Sequence, residues 1–141
     1  MWKASYEKVF RDVTRKELWY AWADVNHWLS WDDSLESTRL EGPFAEGAQF
    51  ELKPKGGMRV RVKLVSVIPF HEFTDVTRLP MGEMYDQRVV EDAPGGVRIK
   101  SAIWVKGPLA GLWRMLVAQG VAASVPAQTE RLVQYVRAAR S

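Results

Sequence analysis

The sequence predicts an α+β fold, a curved seven-stranded antiparallel sheet wrapped around a long C-terminal helix, with two short helices after the first strand. Three observations carry this. Residues 36 to 105 alternate apolar and polar positions in runs broken by hairpin-sized turns. One such run and a helix-start signal precede them. An apolar repeat at spacings of three and four follows, with no second long helix to share the work of covering the sheet. The 141 residues suit a single domain spanning 1–141, and a chain of this length buries roughly 68–70% of its unfolded surface without a metal or disulfide staple.

Trp2, Ala4 and Tyr6 alternate with Lys3, Ser5 and Glu7, which reads as the first strand. Thr14-Arg15-Lys16-Glu17 fits a capping box, and the helix it opens stacks Leu18, Trp22 and Val25 on one stripe. A second helical turn is expected near Trp28 and Trp31, three apart on one face. Strands follow at Ser37 to Glu41, Ala48 to Lys53, Arg59 to Ile68, Glu72 to Leu79, Glu83 to Glu91 and Val97 to Val105. Gly42-Pro43, Pro54-Lys55-Gly56-Gly57, Pro80-Met81-Gly82 and Asp92-Ala93-Pro94-Gly95-Gly96 supply turns between them. Connections this short demand antiparallel pairing. In the third of these strands the apolar phase shifts from Val60, Val62 and Leu64 to Val65 and Val67, which predicts a bulge near Leu64. Gly107-Pro108 ends the last strand and opens a helix carrying Leu109, Leu112, Trp113, Leu116, Val117 and Val121, then Leu132, Val133 and Val136. A kink or brief break is expected just before Pro126.

Composition narrows the function classes. There is no cysteine, which removes thiolate metal sites, disulfide frameworks and cysteine nucleophiles. Lys and Arg number 20 against 17 Asp and Glu, a net charge of +3 that does not argue for nucleic acid. The basic ribbon Lys53, Lys55, Arg59, Arg61 and Lys63 reads as the solvent face of a strand with its valines turned inward. The two histidines, His27 and His71, show no ligand spacing, and no phosphate-cradling loop, nucleophile elbow or metal motif is present. No metal or cofactor is expected. The N-terminal residues are charged and lack a signal-peptide run, and Leu109 to Val125 contains Arg114 and Gln119 and is too short to span a bilayer. A soluble, cytoplasmic protein without membrane insertion is expected, with homodimerisation left open. Seven Trp and sixteen aromatic residues in all suggest an aromatic-lined interior.

Four blocks in this order carry a family resemblance. They are Trp22-Ala23-Asp24-Val25-Asn26-His27-Trp28 with Trp31-Asp32; Gly42 with Gly47 and Phe50; Phe73-Thr74-Asp75 with Leu79-Pro80; and Gly107-Pro108-Leu109-Ala110-Gly111-Leu112-Trp113. Over nearly its whole length the chain resembles the SRPBCC superfamily of START-like helix-grip proteins, and within it the polyketide cyclase/dehydrase-like group. The resemblance implies the helix-grip fold and a small-molecule cavity between sheet and helix. It does not choose an activity, because members include cyclases, dehydratases, carriers of lipids and quinones, and hormone receptors.

Candidate ligand-binding residues on this reading are Trp28, Trp31, Phe73, Asp75, Met84, Tyr85, Arg88, Ile99, Ser101, Ile103, Trp113 and Leu116. Trp28 and Trp31 have two readings, stacking on a planar ligand or packing the short helices onto the sheet, and packing is preferred. Asp75 reads either as a carboxyl with a raised pKa in the cavity or as one that fixes a neighbouring strand or loop, and the second is preferred. Asp32-Asp33 reads as a helix-end cap. The strand from Met84 to Val90 offers two settings, with Asp86 and Arg88 inward as a buried pair or with Tyr85 and Gln87 inward. Periodicity does not decide between them, and the solvated, outward setting of the charged pair is the expectation. The strand has no histidine, which weakens transfer of a histidine-based cyclase mechanism. The resulting expectation is binding of a hydrophobic small molecule (lipid, quinone or polyketide-like). The alternatives are a cyclase or dehydratase moving protons with Asp75, Tyr85 or Arg88, and an interaction module whose cavity its own side chains fill.

Overall fold

The computed structural model describes residues 2–139. Strand β1 (Lys3–Phe10) leads into helix α1 (Arg15–Ala23) and a 3-10 turn, Val25–Ser30. Strands β2 (Leu35–Leu40), β3 (Gln49–Pro54), β4 (Val60–Ile68), β5 (Glu72–Leu79), β6 (Gly82–Ala93) and β7 (Gly96–Lys106) follow. They form one antiparallel sheet in the order β1-β7-β6-β5-β4-β3-β2, so the N-terminal strand closes one edge against the last. Helix α2 (Ala110–Trp113), a π-helical turn over Arg114–Ala118 and helix α3 (Gln119–Ala139) complete the chain. This is the α+β helix-grip architecture.

The capping box forms as its residues dictate. The Glu17 amide donates to the Thr14 hydroxyl at 3.1 Å, and the Thr14 amide donates to the Glu17 carboxylate at 3.1 Å. Such a cap stabilises a helix by about 1 kcal/mol. The bulge is also present, as a register shift between Leu64 and Ser66 against β5. The helix break, however, lies elsewhere than the prolines suggest. Helix α3 continues through Pro126, whose side chain is exposed, and the departure from α geometry is the wide turn at Arg114–Ala118. Proline removes one intrahelical hydrogen bond, and on the solvent side of a helix held by Val125, Thr129, Leu132 and Val133 below, that loss does not interrupt it.

The N-terminal end of the long helical segment is fixed by close packing. The Trp113 indole donates to the Pro80 carbonyl at 2.6 Å. A Cβ on Gly82 would lie 2.6 Å from the Trp113 ring, so only glycine admits the contact. At the opposite end, α3 leans on α1 and on β1.

Two apolar clusters occupy the space between sheet and helix. The larger gathers Leu18, Trp19, Trp22, Trp28, Trp31, Phe50, Leu64, Phe73, Val90, Ile99, Leu132 and Val133. The smaller is built on Ile103, Val105, Ala118 and Val125, flanked by Trp2, Tyr6, Met84, Val121 and Ala122.

Candidate functional site

A polar belt separates the two clusters. Antiparallel register puts directly paired residues side by side on one face. Leu64, Asp75, Asp86 and Ile103 therefore share one rung across β4 to β7, and Phe73, Arg88, Ser101 and Tyr6 share the next across β5, β6, β7 and β1. These rungs lie on the concave face, because Leu64, Phe73 and Ile103 are core residues. Asp86 and Arg88 consequently point inward, which corrects the outward setting expected from the sequence. Arg88 is only 7% exposed.

The Arg88 guanidinium is held on three sides. Its Nε donates to Asp86 Oδ1 at 2.8 Å and its Nη2 to Asp86 Oδ2 at 3.1 Å, a bidentate pair. Its Nη1 donates to Gln128 Oε1 of α3 at 2.8 Å. Gln128 then donates through Nε2 to Asp32 Oδ2 at 2.5 Å, and Asp32 Oδ1 accepts from the Ser34 amide and hydroxyl at 3.0 and 2.6 Å. Asp32 thus closes the turn to Ser34 rather than capping a helix end, and also ties that turn to α3 and the sheet. Burial works against the charge on Arg88, but Asp86 and then Asp75 and Asp32 outweigh it and keep the guanidinium ionised.

Asp75 differs from the other two aspartates. Its carboxyl makes no hydrogen bond among the described residues, so it does not fix a strand or loop. Burial raises its pKa well above the usual carboxylate range, Asp86 beside it raises it further, and Arg88 only partly opposes them. A carboxyl in this setting holds its proton more tightly than a free one. Ser101, 4% exposed and next to Arg88 on β7, has a buried hydroxyl without a hydrogen-bond partner. Buried polar atoms in folded proteins are nearly always paired.

The remaining candidates fall into separate places. Trp28, Trp31, Phe73 and Ile99 belong to the larger cluster. Trp28 meets Trp31 at 5.8 Å and Phe50 edge-on at 5.3 Å, and its indole donates to the Trp22 carbonyl. The packing reading of these tryptophans is therefore realised. Ile103 belongs to the smaller cluster and Met84 packs against it. Tyr85 lies on the convex face, stacked parallel on Trp104 at 5.3 Å, and does not join the belt. Trp113 serves the contact with Gly82, and Leu116 is 63% exposed on the π turn.

The belt members that sequence reasoning did not single out as ligand contacts are Asp32, Asp86 and Gln128. A signal for the inward setting of β6 was present. The alternation of β7 (Val97, Ile99, Ile103, Val105) is unambiguous, and the two-residue turn Pro94-Gly95 pairs Ala93 with Gly96. Counting back along that hairpin places Arg88 opposite Ser101 and on its face.

The convex face carries other chemistry. A groove of about 360 Å³ is lined by Lys3, Ser5, Glu7, Gln87, Val89, Lys100 and Ala102 of this face together with Tyr6 and Ser101 of the belt's own rung. The basic ribbon is largely neutralised across strands, with Lys53 on Glu36 and both Arg59 and Arg61 on Glu51. Among the described residues no three His, Asp or Glu are placed to hold a metal ion, and no helix is long and apolar enough to cross a membrane.

No protein-family model matches the chain, and no curated protein matches it. Solved structures do. Protein MLL2253 from Mesorhizobium loti is 16% identical, with 96% of each chain covered and a TM-score of 0.75. A norcoclaurine synthase point mutant from Thalictrum flavum, solved with a transition-state analogue, is 11% identical over 99% of this chain and 98% of its own, with a TM-score of 0.68. DynU16, a putative protein of the dynemicin biosynthetic locus, is 16% identical over 95% of this chain and 46% of its own, at 0.69. At these identities what the chain shares with these structures is the helix-grip fold.

Proposed function

We propose that the protein binds an apolar small molecule between the concave face of the sheet and the long helix, with the ligand's polar end at the belt. Asp75, Arg88 and Ser101 anchor that end. Met84 and Ile103, with Val121 and Val125 of α3, receive the apolar body. One observation carries the reading, a charged and incompletely paired belt buried across the concave face between two apolar clusters. A core built for stability alone gains nothing from such a belt, since replacing a buried ion pair by apolar side chains is often neutral or stabilising. The neighbours add support, one having been solved with a transition-state analogue and another belonging to a biosynthetic locus. The ligand class is lipid, quinone or polyketide-like. Native mass spectrometry of protein purified gently from its own host, followed by denaturing extraction, tests this. A reproducible added mass, released on unfolding and depleted in Arg88→Met, is the expected result. A bare protein mass together with no uptake of added apolar ligands would sink the proposal.

A second reading rests on Asp75. A buried carboxyl on the concave face, with a raised pKa and no hydrogen-bond partner among the described residues, is the equipment of a general acid, and suits a cyclase or dehydratase. Confinement alone can contribute roughly 7–11 kcal/mol to such a reaction. On this reading Asp75→Asn binds substrate and loses turnover, measured with the compound recovered from the native protein. The self-filled interior applies to the larger cluster only, where the aromatic side chains pack on one another.

A further inference from the structure

The charge inventory of the belt narrows the ligand, on the reading just proposed. Three carboxyl groups, Asp32, Asp75 and Asp86, surround a single cation, Arg88, and all three act on it electrostatically. Asp86 is matched by Arg88 in a bidentate pair. Asp32 is matched by three hydrogen bonds from Ser34 and Gln128. Asp75, 7% exposed, is matched by nothing among the described residues. The groups acting on it are Asp86 and Arg88 of β6, with no lysine, histidine or second arginine among them. Independently, the enclosed Ser101 hydroxyl beside Arg88 has no partner.

We infer that the belt selects an apolar molecule carrying a protonated amine, which pairs with Asp75, and discriminates against carboxylates. The arginine that would otherwise attract an acid has its fork occupied by Asp86 and Gln128, and an incoming carboxylate would face three acidic side chains. An ammonium group beside Asp75 balances the excess negative charge and supplies the hydrogen-bond donors its carboxyl lacks. Specificity here comes as much from repulsion of the anion as from attraction of the cation. The carboxylates do not converge on one point as metal ligands would, so an organic cation with an apolar body is the better match.

Three probes of similar shape test this, naphthylethylamine, naphthylethanol and naphthylacetate, with affinities measured by calorimetry on the full chain. The amine is expected to bind about tenfold more tightly than the alcohol, with the acid weakest. The amine-to-alcohol ratio should rise with pH as Asp75, whose pKa is raised by burial, gives up its proton while the amine stays protonated. In Asp75→Asn, checked for folding by circular dichroism, the ratio should fall close to one and lose its pH dependence. Equal affinities, a preference for the acid, or an amine preference that survives Asp75→Asn would each overturn the inference while leaving the apolar-ligand reading in place. Failure of all three probes to bind would count against that reading itself, and the inference would fall with it.

Discussion

The two apolar clusters on either side of the belt are built differently. The larger one contains four tryptophans and three phenylalanines, several of them edge-to-face with ring centroids 5.2 to 6.4 Å apart. The smaller one has a buried core of Ile103, Val105, Ala118 and Val125 with no aromatic ring in it, and half-buried Trp2, Tyr6, Met84, Val121 and Ala122 around it. Aromatic side chains bury large areas and gain specific ring contacts besides, so the first cluster concentrates stability at one end of the fold. The second has short side chains over a helix segment that departs from α geometry, and it adjoins the belt. Stability and the proposed binding function are thus segregated along the strands, with Arg88 and its partners at the boundary.

Substitutions can break or sharpen that contrast. The largest effect is expected from Trp22→Ala, which deletes the largest fully buried side chain and should cost about 3–5 kcal/mol in chemical denaturation. A loss below about 1 kcal/mol would mean that the aromatic end does not carry the stability. Arg88→Met leaves Asp86 buried without its partner, and should cost about 3–5 kcal/mol. The double variant Asp86→Leu/Arg88→Met should recover most of this, because apolar groups then fill the place of the pair. If the double variant is as unstable as the single one, the belt is a structural requirement and the argument for binding weakens. In the smaller cluster, Ile103→Val should cost only about 0.5–1.5 kcal/mol, and a cost equal to that of Trp22→Ala would erase the distinction between the two ends.

The smallest effect concerns Asp75 and depends on pH. Its folded-state pKa is raised, by burial first and Asp86 second, so the folded protein holds this proton more tightly than the unfolded chain does. The contribution of Asp75 to stability is therefore full below the ordinary carboxylate pKa of about 3.9 and is lost as pH rises toward the folded value. Asp75→Asn should melt close to wild type near pH 4 and above it at pH 7, the gap widening with pH in thermal scans. A constant gap would show that Asp75 is not held protonated.

Much of this molecule was legible from residue order. Strands flanked by Gly-Pro and Gly-Gly turns, the Thr14–Glu17 cap and the bulge after Leu64 all follow from local rules that tertiary packing did not override. The belt was harder to read. Met84, Asp86 and Arg88 alternate with Tyr85, Gln87 and Val89, and hydrophobicity favours turning the charged set outward. The native setting violates that preference because the neighbours β5 and β7 fix the face through their own register. The contributions of Asp32 and Gln128 were out of reach, since 96 positions separate them and only the docking of α3 brings them together. The π turn left no sequence mark comparable to Pro126, which drew attention to an uninterrupted stretch of helix.

The irregularity in β4 has a consequence for how the chain tolerates changes in length. Between Leu64 and Ser66 one residue is inserted relative to β5, so Val62 and Leu64 on one side and Val67 on the other all face inward despite their odd spacing. The extra residue acts as a frame correction. Deleting Val65 would leave Val62, Leu64 and Val67 at even spacings against Thr77, Asp75 and Phe73, so a regular strand would keep all three inward and only the bulge would be lost. A one-residue loss at the bulge thus keeps both halves of the strand on their faces, whereas the loss of Lys63 would make Val62 and Leu64 neighbours and turn one of them outward.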